Sequence, residues 1–247
     1  SAHGFFRITV ASPVISVANP AANAAAMMRL MDPCDSDLIV FPELGLTGYT
    51  CGDLFATDSL QSATLDALET LVASTRQRPN QTVIVGLPIA IDDSLMNAAA
   101  VLCNGQIEGI VPKTFLPTYR EFYEGRHFRA ASSSDPQWLE LHGSMIPFGT
   151  DLLFQQGEAK IGIDICEDLW TPIPPSSHAA LAGANVLVNL SASNETIGKA
   201  QWRRDLIRSQ SGRCIAAYAY TSAGPGESSS DLVFGGHCLI AENGAIL

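Results

Sequence analysis

Three residues with reactive side chains each follow a short apolar run of the kind that forms a buried strand. They are Glu43, Lys113 and Cys166, and the runs before them cover residues 38–41, 106–111 and 160–165. A thiol needs a base to take its proton, and an amide or nitrile carbon under attack needs a cation or N–H donors to stabilise the developing oxyanion. The three residue types together therefore predict nucleophilic attack on such a carbon.

Each of the three residues also has an ordinary structural interpretation. A free cysteine is most often a buried packing residue, which is the favoured interpretation for Cys166 taken alone. Glu43 could be a plain carboxylate at a loop entrance, and Lys113 a solvated charge after a strand, because charged side chains are mostly exposed. The occurrence of all three residues at strand ends favours the catalytic interpretation.

Strands and helices alternate along the chain, which predicts an α/β fold. Strands are predicted over residues 5–11, 38–41, 82–87, 98–103, 106–111, 160–165, 185–190 and 214–220, and helices over residues 21–31, 59–75, 176–182 and 199–211. Asn19 followed by Pro20 is a helix start, and Asn104-Gly105 suits a type I′ turn between two antiparallel strands. The predicted sheet is therefore mixed.

Length and charge limit the possible functions. The 247 residues suit one large domain, and the formal net charge of −11 would repel phosphate backbones and anionic lipids, so neither nucleic acid nor a membrane is expected as a partner. Neither a secretory leader nor a membrane-spanning run is expected from the sequence, and a cytoplasmic location is expected. Six scattered cysteines are expected to be reduced, and neither they nor the five histidines show metal-ligand spacing.

Sequence blocks around the three candidate residues resemble a known superfamily. FPELGLTGY around Glu43, VPKTFLPTYREF around Lys113 and DICEDLW around Cys166 resemble the signature blocks of the nitrilase, or carbon-nitrogen hydrolase, superfamily, and they occur in its order. More narrowly, the chain is similar to the amino-terminal glutaminase domains of bacterial glutamine-dependent NAD synthetases. That similarity rests on TGYTCGDLF, YREFYEGRHF, NLSASNETIGK and GESSSDL.

The resemblance implies a four-layer α-β-β-α sandwich, in which two mixed sheets pack face to face with helices outside. It implies that Glu43 is the general base, that Cys166 attacks the side-chain amide of glutamine, and that Lys113 stabilises the tetrahedral intermediate with help from the backbone N–H of Glu167. Ammonia then leaves, and Glu43 activates the water that releases glutamate from the thioester.

Further roles follow from the same resemblance. Glu121 is expected to hold Lys113, with a plain loop carboxylate as its alternative. The hydroxyls of Tyr119 and Ser193 are expected to contact the amino-acid end of glutamine. Phe122 and Trp170 are candidates for the pocket wall, although packing explains such aromatic residues equally well.

Two other segments allow competing interpretations. Arg203, Arg204 and Arg208 on one predicted helix could form a phosphate site, but a helix with one packed and one solvated face is favoured. The hairpin over residues 239–247 has a short second strand, which is expected if residues 1–247 are one domain of a longer chain.

The family resemblance further implies a synthetase domain that uses ATP and Mg in the full-length chain, no cofactor in this domain, and assembly as a homo-oligomer. Two alternatives remain open at this point. One is an independent amidase that acts on another small amide, and the other is a catalytically silent structural domain.

Overall fold

Two β-sheets form the centre of the computed structural model, which describes residues 4–247. The first sheet contains β1 (Ile8–Val10), β2 (Leu38–Val40), β3 (Thr82–Ile91), β4 (Ser94–Cys103) and β5 (Gln106–Pro112) in that spatial order. Outside both large sheets, β6 (Trp138–Leu141) and β7 (Ser144–Pro147) form a small hairpin. The second sheet has the order β13-β12-β11-β10-β9-β8 and contains β8 (Phe154–Gln156), β9 (Ala159–Ile165), β10 (Val186–Ser191), β11 (Ala217–Ser222), β12 (Leu239–Glu242) and β13 (Ala245–Ile246).

Strand direction brings the ends of several strands to one edge of the sandwich. In the first sheet β2 and β3 are parallel, and β5 runs in the same direction because it is antiparallel to β4, which is antiparallel to β3. In the second sheet β9, β10 and β11 are parallel. The carboxyl ends of β2 and β5 therefore share one edge of their sheet, and those of β9 and β10 share one edge of theirs.

The two sheets pack face to face through alternate residues of their strands. In β9, Ile161, Ile163 and Ile165 face the other sheet, whereas Gly162 and Asp164 face outward, as the period-2 alternation of a strand requires. The first sheet contributes the other half of this inter-sheet core through Leu38, Val40, Ile84, Ala99, Val101 and Val111. The sulfur-bearing residue Cys166 lies at the end of this same cluster.

Helices cover the outer face of each sheet. The helices α1 (Pro20–Met31) and α2 (Asp58–Thr75) pack on the first sheet, and α3 (Pro175–Leu181) and α4 (Lys199–Cys214) pack on the second. The predicted four-layer α-β-β-α sandwich is confirmed. No helix among residues 4–247 combines the length and apolar character that crossing a bilayer needs.

Most local predictions are confirmed. The Asn19 side chain accepts a hydrogen bond from Ala22 N and caps α1, and Asn104-Gly105 joins β4 to β5 with both residues at positive φ. The strand predicted over residues 5–11 is shorter, because only Ile8–Val10 pairs with β2. The strand predicted over residues 82–87 is longer in the structure, and β6, β7 and β8 were not predicted.

Candidate active site

The three candidate residues meet where the strand ends of the two sheets converge. Cys166 is the first residue after β9 and has a φ of +45°, in the left-handed region that a side chain rarely adopts. It begins a short 3-10 helix, Cys166–Trp170. This sharp turn takes the thiol out of the strand direction and places it at the floor of a cleft, where it is only 5% exposed.

Lys113 lies at the centre of a buried network of charges. Its Nζ donates to Glu43 Oε1 at 2.5 Å and to the two carboxylate oxygens of Glu124 at 2.8 and 2.9 Å. Lys113 is 0% exposed and the two glutamates are nearly as deeply buried. A buried ammonium is tolerated only when it is paired, so the two carboxylates account for the presence of this lysine in the interior.

Glu43 has one carboxylate oxygen engaged and one free. Its Oε1 accepts from Lys113 and also from Asn97 Nδ2 at 2.7 Å, while its buried Oε2 has no hydrogen-bond partner among residues 4–247. Asn97 belongs to β4, and its backbone carbonyl also accepts a hydrogen bond from Lys113 N at 2.8 Å. The free Oε2 is the atom of Glu43 that is available to take a proton.

The expectation that Glu121 holds Lys113 is wrong, because Glu124 makes that contact. Arg120 has a φ of +52°, and a turn of 3-10 helix starts at Glu124, so the chain turns Glu124 inward. Glu121 faces the cleft instead, where its Oε1 accepts from Asn194 Nδ2 at 2.6 Å. Two glutamates three residues apart cannot be told apart by residue type alone.

The charges determine which groups are protonated at rest. Burial by itself would lower the pKa of Lys113, but the charges of Glu124 and Glu43 outweigh it and raise that pKa well above the ordinary value. Burial raises the pKa of the Cys166 thiol, and the Glu43 carboxylate raises it further. The lysine is therefore charged and the thiol neutral at rest, so attack by sulfur requires that a base remove its proton.

A cleft of about 530 Å³ opens above Cys166. Glu43 and Lys113 are buried and do not line this cleft. The other predicted site residues do: Tyr119, Glu121, Phe122, Glu167, Trp170 and Ser193. Tyr119 donates its hydroxyl to the Glu167 carboxylate at 3.0 Å. The structure thus brings the predicted residues together, with a buried charged layer under an open cleft.

The cleft also contains a cation that the sequence did not single out. Lys199, the first residue of α4, lies with its Nζ 5.4 Å from the ring centroids of both Phe122 and Trp170 and donates to Asn194 Oδ1. Partial burial lowers its pKa. NLSASNETIGK includes this lysine, but its position between two aromatic rings depends on tertiary packing. With Lys199, Glu121 and Glu167, the cleft presents charges of both signs.

Asp168 connects the strand end that carries the thiol to the one that carries the lysine. Its Oδ2 accepts from Ile165 N at 2.9 Å, next to Cys166, and its Oδ1 accepts from Phe115 N at 2.8 Å, two residues after Lys113. Burial raises the pKa of Asp168 to about 8. Through these two hydrogen bonds the Asp168 side chain ties the backbone next to Cys166 to the backbone near Lys113 across the two sheets.

Gly86 in β3 allows the backbone of Glu43 to pass directly over it. A Cβ at this position would lie 2.4 Å from Leu44 N, 2.6 Å from Pro42 O and 2.8 Å from Glu43 Cα. All three are backbone atoms, which cannot move aside cheaply. The glycine therefore permits the close approach that places Glu43 beside Lys113.

We expect Gly86→Ala to lower the free energy of unfolding by about 1–3 kcal/mol, because the added methyl overpacks a rigid contact. Urea unfolding measures this change. Gly212→Ala in α4 is the matched control, since its nearest neighbour would lie at 3.4 Å, an ordinary contact, and alanine favours the helix by up to about 1 kcal/mol. Equal stability of the Gly86→Ala variant and the parent would contradict the expectation.

Comparison with known proteins gives the family context. A family model described as carbon-nitrogen hydrolase matches residues 11–247. A protein of Mycobacterium tuberculosis named glutamine-dependent NAD(+) synthetase is 44% identical over 251 residues, which cover 99% of this chain and 37% of that protein. A protein of the same name from Thermotoga maritima is 33% identical over 89% of this chain and 34% of its own length. The chain thus spans little more than a third of these relatives.

Solved structures show the same architecture. The structure of a glutamine-dependent NAD(+) synthetase from Cytophaga hutchinsonii superposes with a TM-score of 0.87 at 28% identity, over 98% of this chain and 40% of that one. An amidase from Nesterenkonia sp. superposes with a TM-score of 0.75 over 98% of this chain and 84% of its own, at 17% identity. The second likeness concerns the fold alone.

Proposed function

This chain belongs to the carbon-nitrogen hydrolase family, and on that premise we propose that it hydrolyses the side-chain amide of glutamine through Cys166. One observation carries the proposal: Cys166 lines an open cleft and lies close enough to feel the charges of the buried Glu43–Lys113 pair, in which Glu43 keeps one carboxylate oxygen without a partner. The relatives are named glutamine-dependent NAD(+) synthetases, and this dependence supports glutamine as the substrate.

In the first half-reaction Glu43 Oε2 takes the proton of the Cys166 thiol, and the sulfur attacks the amide carbon. The network of Glu43, Glu124 and Lys113 has a net charge of −1, and a proton moving from the thiol to Glu43 leaves the total charge of the buried site unchanged. The oxyanion that forms on the amide oxygen is stabilised by the charge of Lys113 and by the backbone N–H of Glu167. Protonated Glu43 then gives its proton to the leaving nitrogen, and ammonia departs.

In the second half-reaction a water molecule attacks the thioester that ammonia leaves behind. Glu43, again ionised, takes a proton from this water, and collapse of the second tetrahedral intermediate returns that proton to the sulfur. Glutamate is released and Cys166 is neutral again. The same carboxylate therefore serves both half-reactions, which requires a carboxylate oxygen that no other group occupies.

The charges of the cleft match the amino-acid end of glutamine. We propose that Lys199 binds the α-carboxylate and that Glu167 or Glu121 binds the α-ammonium, because opposite charges within a partly buried cleft recognise a zwitterion. Tyr119 and Ser193 add hydroxyl contacts, and Phe122 and Trp170 form the apolar wall beside the side-chain methylenes.

We propose that the ammonia is used by a synthetase domain of the same full-length chain, which would consume ATP, with Mg as its metal ion, and amidate deamido-NAD. This proposal rests on the names of the relatives and on the share of their length that this chain spans. No cofactor is proposed for the domain described here. A cytoplasmic homo-oligomer remains the proposed setting of the full-length protein.

The test of this function is ammonia release from glutamine, asparagine and butyramide, the last of which lacks both charged groups of the amino acid. Glutamine is expected to be hydrolysed with the highest kcat/KM. Lys199→Met is expected to raise the KM for glutamine about 30-fold, since one charge-assisted hydrogen bond is lost, and to leave butyramide hydrolysis unchanged. Steady-state kinetics with a coupled ammonia assay measures both.

Lys160→Met is the matched control, because Lys160 is an exposed lysine at the opposite end of β9. It should show the parent KM. Equal kcat/KM for butyramide and glutamine would favour the alternative of an independent small-amide hydrolase, and an unchanged KM in Lys199→Met would remove the proposed carboxylate contact.

A further inference from the structure

Arg203 is the largest fully buried side chain of the described residues. It lies on α4, one turn after Lys199, and is 0% exposed, whereas Arg208 on the same helix is largely exposed. A buried guanidinium is costly unless its N–H groups are paired, so its partners identify the part of the structure that requires it. Neither a phosphate site nor a solvated face accounts for this position.

Three of the four hydrogen-bond partners of Arg203 within the described residues are consecutive residues in the segment that follows β10. Its Nη2 donates to Ser193 Oγ and to Asn194 O, both at 3.2 Å, and its Nη1 donates to Glu195 Oε1 at 2.8 Å. Nη1 also lies 2.7 Å from His237 Nδ1, which must accept because a guanidinium only donates. The planar guanidinium group of Arg203, a rigid fork of N–H donors, therefore fixes the whole segment 193–195.

This contact uses Ser193 Oγ as an acceptor. Because Arg203 occupies an acceptor position of Ser193 Oγ, the hydroxyl proton remains available for an acceptor in the cleft, where Ser193 forms part of the wall. A carboxylate oxygen is such an acceptor. Arg203 thus keeps Ser193 as a donor toward the cleft without touching the cleft itself.

The same fork fixes the orientation of the charged groups of the cleft through Asn194. The Asn194 side chain accepts from Lys199 Nζ and donates to Glu121 Oε1 at 2.6 Å, while its backbone carbonyl is held by Arg203. A shift of Asn194 would therefore move a cation and an anion together. By contrast, none of the hydrogen bonds of Arg203 involves Glu43, Lys113 or Cys166.

We propose that Arg203 is a positioning residue that sets the affinity of the cleft for the amino-acid end of the substrate by fixing residues 193–195. The inference rests on the proposed function for the identity of the substrate. Lysine cannot replace arginine here, because its donors radiate from one nitrogen and cannot span three consecutive residues.

The test compares Arg203→Lys and Glu195→Gln with the parent chain. Glu195 is 29% exposed, and the glutamine of the second variant keeps the shape of the side chain. This variant therefore tests the contact between Arg203 and segment 193–195 even if Arg203→Lys does not fold. We expect the KM for glutamine to rise about tenfold in Arg203→Lys and about threefold in Glu195→Gln, with kcat within about threefold of the parent.

Chemical labelling gives a second measurement on the same variants. Alkylation of Cys166 by iodoacetamide should keep its parent rate, and acetylation of Lys199 by acetic anhydride should become faster. Arg208→Lys should match the parent in every measurement.

An unchanged KM together with unchanged Lys199 acetylation in the folded variants would overturn the inference. A parallel fall of kcat and of Cys166 alkylation would overturn it as well, because Arg203 would then support the catalytic layer in general. If the parent chain itself releases no ammonia from glutamine, the proposed function fails. The acetylation of Lys199 then still decides whether Arg203 positions the cleft.

Discussion

Replacing Cys166 with alanine is expected to lower kcat for glutamine hydrolysis by at least about 10⁵-fold while leaving the fold intact. The substitution removes the nucleophile but little volume, because a methyl group replaces a thiol at a site that is 5% exposed. Glu43 and Lys113 keep their contact, so the buried charges stay paired. An ammonia assay under saturating glutamine measures the effect, and urea unfolding should agree with the parent within about 1 kcal/mol.

Cys51→Ala is the matched control for this prediction. Cys51 is also 5% exposed, but its thiol donates to Thr47 O at 3.1 Å and lies in a separate apolar cluster. This variant should keep the parent kcat. In addition, a glutamine-like diazoketone should label Cys166 alone among the six thiols, as mass spectrometry would show. Labelling spread over several thiols, or ammonia release at the parent rate by Cys166→Ala, would refute the nucleophile assignment.

The meeting of the three candidate residues could be predicted because it follows from strand direction. Apolar runs with a period of two gave β2, β5 and β9, and parallel strands end at the same edge of a sheet. A reactive residue directly after each run is therefore held near the others by the sheets themselves. The Asn-Gly turn added the one antiparallel pair that returns β5 to the direction of β2.

The sequence could not show where β3 ends, because Pro88 looks like a strand terminator. In the structure Pro88 pairs with Asn97 of β4, while the pairing of β3 with β2 stops at Ile84. Beyond Ile84, β3 is no longer paired with β2. The lack of an N–H group in Pro88 therefore removes no hydrogen bond between β3 and β2. A tertiary feature thus overrides a local rule.

The remaining parts of the site depend on which way single side chains turn. The choice between Glu121 and Glu124 is made by the turn at Arg120, and nothing in the local sequence pattern indicates that turn. Lys199 and Arg203 belong to a helix whose polar composition suggests a solvated face, yet one lies between aromatic rings and the other is fully buried. Their positions follow from contacts between elements that are distant in sequence.

Glu124→Gln is expected to reduce kcat about 10²–10³-fold and to move the alkaline limb of the pH profile to lower pH. The amide keeps the shape of the side chain and can still accept from Tyr49 OH, which lies 2.8 Å from Glu124 Oε1. The substitution removes the negative charge of Glu124. This charge raises the pKa of Lys113 against the effect of burial, and it contributes more than the charge of Glu43. With that charge removed, Lys113 loses its proton at a lower pH, and the oxyanion loses its cation.

Glu121→Gln is the matched comparison, because the two glutamates are three residues apart and only one of them contacts Lys113. Its effect should appear in the KM for glutamine and leave the alkaline limb in place, since Glu121 faces the cleft rather than the buried charges. Profiles of kcat between about pH 6 and pH 10.5 distinguish the two variants, because the limb is set by the lysine. If Glu121→Gln moves the limb and Glu124→Gln does not, Glu121 holds Lys113 in the working enzyme, and the assignment of Glu124 to that role is wrong.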